Sequence, residues 1–410
     1  MKDEVLKIIS EAEEKLKDRF EMLDENELYN SQKVLNAFHN NHLSYNDFNS
    51  TNGYGYGDLG RDKIEAIYSD IFGSEDALVR REFVSATHAL NITFSALLRP
   101  NDLLLSISGK PYDTLDGVIG YYSKNESSLM SFGVKYHEID LIDNDFDIEE
   151  IKKYLKNNKV KVIEIQRSVG YSTRKSLSIN KISRVIREIR KINKEVIIMV
   201  DNCYCEFSER KSPIEVGADI AVGSLIKNLG AGIASHGAYV VGSKKLINLV
   251  AERLYFPGEA KEMGPSLGSN IEILKALYFA PTVVNGALKT AYLASYVMNK
   301  LGFKVSPKYD EERCDIVTAI TFNDKDKLIK FVSGIQKGSA VDSFSTPIPS
   351  PMPGYDNEII MASGSFTMGS SIEISADAPI REPYTAYLQG GISYNYGKLA
   401  LIEAVMELYK

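Results

Sequence analysis

The feature that most constrains this chain is the alternation of short apolar runs with helix-length segments between residues 62 and 247. The predicted strands are Leu103–Ile107, Lys135–Ile139, Val160–Gln166, Glu195–Val200, Ile220–Ser224 and Ala238–Val241. Predicted helices between them include Asp147–Leu155 and Ile179–Ile192. Strands separated by helices of this length predict an α/β fold with a mostly parallel sheet covered on both faces.

The last third of the chain has a different pattern. Its predicted elements are, in order, a helix at Val283–Leu301, a strand at Cys314–Phe322, a helix at Lys325–Gly334, strands at Glu358–Ala362 and Ser371–Ser375, and a helix at 394–409. A strand, a helix, two strands and a helix indicate a smaller α+β domain.

The N-terminal part combines a helix with a polar loop. Residues 1–23 have apolar side chains three or four positions apart, which predicts an amphipathic helix. Residues 40–60 are rich in Asn, Gly and Tyr and lack any period, which indicates a functional or contact loop. We therefore expect a helical arm and interface loop at 1–60, a large domain at 61–285 and a small domain at 286–410.

Charge and cysteine content exclude several classes of protein. The 410 residues include 48 Lys and Arg against 55 Asp and Glu, a formal charge of −7, which offers no footprint for nucleic acid and little attraction to an anionic membrane. Three cysteines do not make a disulfide framework, so the cytoplasm is the expected compartment. The first 20 residues contain no long apolar run, and we expect neither a signal peptide nor a membrane span there.

One motif suggests a nicotinamide cofactor but lacks the necessary context. Residues 55–60 match G-x-G-x-x-G. A dinucleotide fingerprint follows a hydrophobic strand, whereas the preceding residues 46–52 are mostly Asn, Asp, Ser and Thr. The sequence therefore argues against nicotinamide binding.

The segment Ser85-Ala86-Thr87-His88 precedes an apolar, helix-like run. Small and hydroxyl-bearing residues at the start of a helix can bind an anion, because backbone N–H groups point outward and the helix dipole favours negative charge. An ordinary Ser N-cap is the alternative interpretation.

Two charged residues follow apolar strands. Asp201 ends the run 198–200, and ligands of parallel sheets bind at the carboxyl ends of strands. Lys227 follows the apolar run at 220–226, and burial there would lower its pKa and make its amine a nucleophile. Taken singly, Asp201 could be a turn residue and Lys227 a surface lysine.

The combination indicates pyridoxal 5′-phosphate (PLP). This cofactor needs an amine for its aldehyde, a carboxylate that keeps its pyridine nitrogen protonated, and a phosphate cradle. Lys227, Asp201 and the segment at residue 85 supply all three groups, and Tyr112 offers an aromatic face for the ring.

At this level the chain resembles the fold type I PLP enzymes of the Cys/Met-metabolism branch, and more closely the methionine γ-lyase-like family often labelled aluminium-resistance proteins. The segments that carry the resemblance are GYGYGDLGRD (53–62), SATHAL (85–90), GKPYDTL (109–115), QRSVGYS (166–172), DNCYCEF (201–207), GSLIKN (223–228) and APIREPYTAYLQGG (378–391). The resemblance implies the aspartate aminotransferase-like fold of the PLP transferases, with a mostly parallel large-domain sheet and a smaller C-terminal α+β domain.

The resemblance also implies roles for individual residues. Lys227 would bind the cofactor covalently and act as the acid and base at Cα, and Asp201 would pair with the pyridine N–H. The cofactor phosphate would be held by Ser85, Ala86, Thr87 and Ser224. Tyr112 would stack on the ring and assist departure of the leaving group, and Tyr56 would reach the phosphate of a neighbouring subunit in a homo-oligomer, a dimer or a tetramer.

Arg381 is the expected clamp for the substrate carboxylate, because a guanidinium binds a carboxylate through two hydrogen bonds. Arg167 and Arg174 compete with it for that role.

The sequence departs from the family pattern at two positions. Ala86 replaces a usual Gly, which would be strained if the backbone there has positive φ. Cys205 stands where a Gly is expected, close to Asp201. His88 either lines the site or packs beside it, and the pair His39 and His42 lacks an apparent third metal ligand, so we expect no metal site.

The leading functional prediction is a PLP-dependent lyase that acts on a sulfur-containing amino acid by β- or γ-elimination, like methionine γ-lyase or cystathionine β-lyase. Transamination or aldol cleavage on the same scaffold is one alternative, since one fold hosts many reactions. A non-catalytic, stress-related PLP-binding protein is another, although the presence of both Lys227 and Asp201 argues against it.

Overall fold

The computed structural model describes residues 2–410 and begins with two helices, α1 (Lys2–Lys15) and α2 (Lys17–Asn40). The prediction of one helix ending near residue 23 is therefore wrong, and Met1, its first residue, lies outside the described residues. The full length of α2 was not predicted, because its few buried positions form no apolar stripe in the sequence. Those buried positions are Asn30, Val34 and Ala37.

A seven-stranded sheet forms the centre of the fold, with strand order β1-β9-β8-β7-β6-β2-β3. Pairs from β8 through to β3 are parallel, and β9 is antiparallel to both of its neighbours. Strands in this part of the chain, including a separate two-stranded ribbon of β4 and β5, are β1 (Asp76–Arg80), β2 (Leu103–Ser106), β3 (Lys135–Glu138), β4 (Leu141–Ile142), β5 (Asp145–Phe146), β6 (Val162–Gln166), β7 (Ile197–Asp201), β8 (Ile220–Ser224) and β9 (Ala238–Gly242).

Helices cover the two faces of this sheet, and a hydrophobic cluster lies on each face. They are α3 (Leu59–Phe72), α4 (Ala86–Leu97), α5 (Asp113–Ile119), α6 (Ile148–Asn157), α7 (Ile179–Ile192) and α8 (Lys244–Leu254). Short 3₁₀ turns occur at Tyr45–Phe48, Ile214–Val216, Asn228–Gly230 and Ala260–Glu262. The predicted α/β fold with a mostly parallel, doubly covered sheet is confirmed.

The long helix α9 (Asn270–Lys300) connects the two halves of the chain. It is long and apolar enough to cross a membrane, but 67% of its most apolar window is buried inside the fold, as in a core helix. The predicted domain boundary at residues 285 and 286 falls inside this helix.

A second sheet of five strands lies beyond α9, with order β10-β11-β14-β13-β12 and antiparallel pairing throughout. Its strands are β10 (Lys304–Ser306), β11 (Val317–Thr321), β12 (Ile359–Ala362), β13 (Ser375–Pro379) and β14 (Thr385–Gln389). The helices α10 (Lys325–Lys337) and α11 (Tyr394–Leu408) pack against each other, and their apolar side chains join those of the sheet in one cluster.

The sequence placed one strand of this sheet wrongly and missed two others, β10 and β14. The predicted strand at Ser371–Ser375 is wrong, because β13 begins at Ser375. β14 was not predicted, because it is only five residues long and contains the polar residues Thr385 and Gln389, although all five of its residues are buried.

Candidate active site

The site is built at the carboxyl ends of the neighbouring parallel strands β7 and β8. Asp201 is the last residue of β7 and pairs in register with Val222 of β8. The chain continues from the end of β8 to Lys227, whose Nζ lies 4.0 Å from the centre of the Tyr204 ring. The two charged residues singled out in the sequence therefore come from adjacent strand ends, where ligands of α/β sheets bind.

Burial and neighbouring charge set the protonation of these two groups. Burial raises the pKa of Asp201, while the Cys203 backbone N–H, 3.1 Å from Oδ1, and the charge of Lys227 act in the opposite direction. Burial lowers the pKa of Lys227, but its acidic neighbours, the Asp201 carboxylate together with Tyr204, Cys203 and Tyr112, raise it by more. The net pKa of Lys227 lies above its ordinary value, so the prediction of a lowered pKa is wrong for the free chain.

A cradle for an anion stands at the start of α4. The hydroxyl of Ser85 caps the helix by accepting a hydrogen bond from the His88 N–H at 3.1 Å. Within residues 2–410 no acceptor contacts the backbone N–H groups of Ala86 and Thr87, which leaves two donors for a bound anion. Ala86 adopts ordinary helical backbone rather than positive φ, so its replacement of Gly causes no strain.

Two more predicted cofactor ligands lie at neighbouring chain turns. Tyr112 immediately precedes α5, and its hydroxyl is 3.1 Å from Oγ1 of Thr87. Burial raises the pKa of Tyr112 well above its ordinary value, so the phenol is neutral. Ser224 ends β8, and its buried hydroxyl accepts a hydrogen bond from the Ile226 N–H at 3.2 Å. An amine, a buried carboxylate and two unpaired N–H donors fit the requirements of PLP.

The three candidate arginines have different surroundings. Arg167 is buried, and its guanidinium donates to Leu177 O at 3.2 Å, to Asn202 Oδ1 at 2.6 Å and to Glu209 Oε2 at 2.5 Å. Arg174 donates to four backbone carbonyl groups, those of residues 166, 167, 168 and 175. Both side chains thus have structural partners that occupy their donors.

Arg381 is exposed on the turn between β13 and β14. Its guanidinium makes no hydrogen bond or ion pair within residues 2–410, and its charge acts on Tyr387. Of the three arginines, Arg381 keeps its donors free for a substrate.

The Tyr-rich loop before α3 is firmly anchored to its own chain but presents its tyrosines to solvent. Asp58 accepts hydrogen bonds from the hydroxyl of Thr51 at 2.6 Å, from Ser266 and from Asn270 at 3.1 Å. Tyr56 is 53% exposed, and its hydroxyl donates to Glu259 Oε2 at 2.9 Å.

Other residues singled out in the sequence have local roles. The Nδ1 of His88 accepts a hydrogen bond from the Val84 N–H at 3.2 Å. Cys205 is buried, and burial raises the pKa of its thiol well above the ordinary value. Within residues 2–410 no group of three or more His, Cys, Asp or Glu side chains could hold a metal ion.

Sequence reasoning assigned no role to five residues that form a group reaching Lys227 through Tyr204. Tyr204 contacts its amine, and Asp377 lies within electrostatic range of it. The rings of Tyr355 and Tyr387 lie 5.6 and 5.1 Å from that of Tyr171. Tyr171, Tyr204 and Tyr387 lie in segments that carried the resemblance, although no role was assigned to them, whereas Tyr355 and Asp377 lie outside those segments.

Comparison with known proteins agrees with this geometry. Residues 5–409 match the methionine gamma-lyase family. The Bacillus subtilis protein YnbB is 44% identical over 381 residues, which cover 92% of this chain and 90% of YnbB. A carbon-sulfur lyase involved in aluminum resistance from Clostridium novyi NT is 45% identical, with a TM-score of 0.93 over 98% of this chain and 95% of that one.

A more distant match supports the fold. The pyridoxal-5′-phosphate dependent protein YhfS from Escherichia coli has a TM-score of 0.63 at 16% identity, over 94% of this chain and 97% of that one. The resemblance inferred from the motifs is thereby confirmed, as are the fold type I architecture and the cofactor. The chain belongs to the methionine gamma-lyase family and is a PLP-dependent enzyme of the carbon–sulfur lyase class.

Proposed function

We propose that the protein cleaves the carbon–sulfur bond of a sulfur-containing amino acid by β- or γ-elimination. The observation that carries this proposal is the placement of Lys227 and Asp201 at adjacent strand ends, beside the unpaired N–H groups of α4. This set of groups would hold PLP with its reactive carbon next to a lysine.

Bound PLP supplies an electron sink for the pair of electrons left when Cα loses its proton. Lys227 takes that proton and can return one later in the reaction, because its amine is the basic group nearest the reacting atoms. Asp201 keeps the pyridine nitrogen protonated. Its burial strengthens this interaction, since a charge pair acts more strongly where water is excluded.

The carbon–sulfur bond breaks with its electron pair on sulfur, which takes a proton and leaves as a thiol. Water then supplies the oxygen of the 2-oxo acid, and the amino group leaves as ammonia. Tyr112 is the neutral phenol best placed to give the sulfur its proton, because its hydroxyl lies beside the phosphate cradle and next to Thr87.

We propose that Arg381 binds the substrate carboxylate. Its guanidinium has free donors, and its charge acts on Tyr387, whose ring lies 5.1 Å from that of Tyr171. Arg167 and Arg174 serve the structure of the turn that follows β6, since their donors are already used.

We also propose that the enzyme works in the cytoplasm as a homo-oligomer with shared sites. Tyr54, Tyr56 and Leu59 are exposed, as are Phe256 and Leu267, and backbone hydrogen bonds link residues 51 and 54 to residues 267 and 264. Exposed apolar patches of this kind mark interfaces. In a dimer this region would bring Tyr56 to the cofactor phosphate of the neighbouring subunit.

The test is an assay of the purified enzyme with PLP and a panel of sulfur-containing amino acids, in which thiol, ammonia and 2-oxo acid are measured together. Elimination gives equal amounts of all three. Pyruvate identifies β-elimination and 2-oxobutyrate identifies γ-elimination. A 2-oxo acid formed without thiol would point to transamination, and no product from any substrate would support a non-catalytic role. Lys227→Ala is the negative control.

A further inference from the structure

Glu206 lies on the face of the large sheet opposite to the anion cradle of α4. It is 2% exposed, and its Oε1 accepts a hydrogen bond from the Tyr239 hydroxyl at 2.9 Å. Tyr239 belongs to the hydrophobic cluster of α3, whereas Ala238 and Val240 on either side of it belong to the cluster of α4. A Cβ on Gly223 would collide with the Tyr239 hydroxyl and with Oε1 of Glu206, so the two side chains pack directly against β8. Glu206 therefore acts on the site through other residues.

Hydrogen bonds connect Glu206 to both segments that carry the site. Asn228, which follows Lys227, donates from Nδ2 to the backbone oxygen of Glu206 at 2.9 Å. Asn202, which follows the end of β7, donates from Nδ2 to the Tyr239 hydroxyl at 3.2 Å. Because that hydroxyl donates to Glu206, this one residue joins the chain after β7 to the chain after β8.

Two buried oxygens in this network have no donor. Oε2 of Glu206 and Oδ1 of Asn228 make no hydrogen bond within the described chain. The amide of Asn228 already uses Nδ2, so its Oδ1 needs a donor from another residue. Two oxygens form a hydrogen bond only when one of them carries a proton, and a carboxyl group can carry it. Since buried polar groups are nearly always paired, the two vacant oxygens indicate a protonated Glu206.

Burial favours that neutral acid. It raises the pKa of Glu206 to about 7, although the hydrogen bond from Tyr239 and the charge of Lys227 act in the opposite direction. Lys227 is the cation here that loses its free amine when a cofactor binds to it. The titratable and charged groups that interact electrostatically with Glu206 are Tyr68 of α3, Arg167 after β6, Asp201 of β7, Cys203 and Cys205 after β7, Lys227 after β8, and Tyr239 of β9.

We infer that Glu206 is a positioning residue for Lys227: as a carboxylic acid it donates to Oδ1 of Asn228 and holds the chain after Lys227 against the chain after Asp201. The inference rests on Lys227 as the cofactor lysine. It goes beyond the proposed carbon–sulfur cleavage, because the same tie would serve any reaction of PLP at this lysine.

Glu206 and the cofactor are then linked through one proton. In the free chain the positive charge of Lys227 lowers the pKa of Glu206. Bound PLP brings a negatively charged phosphate to the site and removes the free amine, so the pKa of Glu206 rises on binding. A group whose pKa rises on binding takes up a proton, and by reciprocity PLP affinity falls as pH rises through about 7. Loss of the donor to Asn228 acts in the same direction.

Titration of the apoenzyme with PLP at pH 6 and pH 8.5, followed by absorbance, measures this link. Glu206→Gln keeps an acceptor for Tyr239 and a donor for Asn228 but cannot ionise. It should bind PLP as tightly as wild type at pH 6. The loss of affinity between the two pH values should be about three- to tenfold greater in wild type than in this variant. Glu188→Gln, the same chemical change on α7, is the matched control and should keep the wild-type ratio.

Truncation tests the tie itself at pH 6. Glu206→Ala and Asn228→Ala should each weaken PLP binding about tenfold, because each removes the hydrogen bond between the two side chains. The double variant should bind PLP about as weakly as Asn228→Ala alone, since residues that act through one contact are not additive. Circular dichroism and the melting temperature would check the fold of each variant.

Three results would overturn the inference: an equal pH dependence in wild type and Glu206→Gln, wild-type affinity in Glu206→Ala, or a loss of affinity in folded Glu206→Gln at pH 6. Borohydride reduction of the wild-type holoenzyme separates these from a wrong cofactor lysine. With the pyridoxyl group on Lys227, only the positioning role of Glu206 would fail; with the label on another lysine, the inference and the assignment of Lys227 would fail together. The lyase function is judged separately, by its products.

Discussion

The Nζ atom of Lys227 lies 4.0 Å from the centre of the Tyr204 ring, against its face. Tyr204 reaches this position with a φ of 70°, in the left-handed region that is uncommon for residues other than glycine. Strained backbone of this kind clusters at functional sites. The contact therefore fixes where the amine stands before any ligand enters.

Lys227 is predicted to be the lysine that binds PLP. Reduction of the purified holoenzyme with borohydride, followed by peptide mapping, should place the pyridoxyl group on Lys227. Lys227→Ala should lose both the label and the absorbance of lysine-bound cofactor. A label on another lysine would refute the assignment.

Asp201→Ala should keep the fold and lose most of the activity. Without the carboxylate the pyridine nitrogen loses its proton, and we expect kcat to fall by about 10²- to 10⁴-fold, the range of a well-placed proton-transfer group. Circular dichroism and the melting temperature would check the fold. Asp201→Glu, which keeps the charge, should recover part of the activity, and unchanged turnover in Asp201→Ala would reduce Asp201 to a structural role.

The sequence predicted the first half of the fold well, for a physical reason. Strands β2 and β6 to β9 form short, largely buried and mostly apolar runs, so their pattern is visible in a short window. β13 and β14 have no such pattern, since small residues such as Ala376 and Ala378 pack where larger apolar residues usually mark a strand. α2 was missed because most of its surface is polar.

The site was predictable where a functional residue lies at or just beyond the end of a strand or helix that the sequence itself indicates. Asp201, Lys227 and Ser85 each adjoin a strand or helix end, so their positions could be inferred. Asp377 could not be, because nothing in its own segment distinguishes it. Only the pairing of β13 with β14, and the contact of Tyr387 with Tyr171, bring that strand to the lysine.

We predict that Arg381 binds the substrate and that Arg167 and Arg174 support the structure. Arg381→Ala should raise KM about 10- to 100-fold with little change in the melting temperature, because it removes a charge-assisted pair from an exposed side chain. Arg167→Ala should lower the free energy of unfolding by about 3–5 kcal/mol, because it leaves Glu209 without its buried partner. Arg381→Lys should restore part of the affinity. A normal KM in Arg381→Ala would mean that another residue binds the substrate carboxylate.

Glu206 should make the protein less stable as pH rises. Its Oε1 accepts a hydrogen bond from the Tyr239 hydroxyl at 2.9 Å, and burial raises its pKa from 4.5 to about 7. The folded chain therefore holds a proton that the unfolded chain has lost, so the free energy of unfolding falls between about pH 4.5 and 7. Glu206→Gln should reduce that fall by up to about 3 kcal/mol, measured by urea unfolding at pH 5 and pH 8.

Glu188 provides the matched comparison for this measurement. It is partly exposed, and hydrogen bonds from Lys191 and Lys152 lower its pKa to about 2. A lowered pKa adds stability above the unfolded value, which is lost as pH falls from about 4.5 toward 2. Glu188→Gln should therefore leave the change between pH 5 and 8 as in wild type. An unaltered pH dependence in Glu206→Gln would mean that Glu206 is ionised in the folded chain.

The enzyme is predicted to be a homo-oligomer whose sites are shared between subunits. The Tyr54–Arg61 loop is held rigidly by Asp58, yet it exposes Tyr54, Tyr56 and Leu59. Tyrosine is favoured at interfaces because it combines apolar area with a hydroxyl. Light scattering at micromolar concentration should give at least a dimer, and a monomer mass would refute the prediction.

Mixing two variants tests whether Tyr56 completes the neighbour's site. Tyr56→Phe alone should weaken PLP binding, and Lys227→Ala should abolish the covalent link. With shared sites, a hybrid dimer has one site with both changes and one site with neither, so cofactor affinity at the intact Lys227 should return toward wild type. If Tyr56 serves its own chain, every intact Lys227 remains beside a phenylalanine and affinity does not recover. Exchange of subunits must first be proven with tagged chains, and Tyr45→Phe, at an exposed tyrosine outside this loop, controls for loss of a hydroxyl.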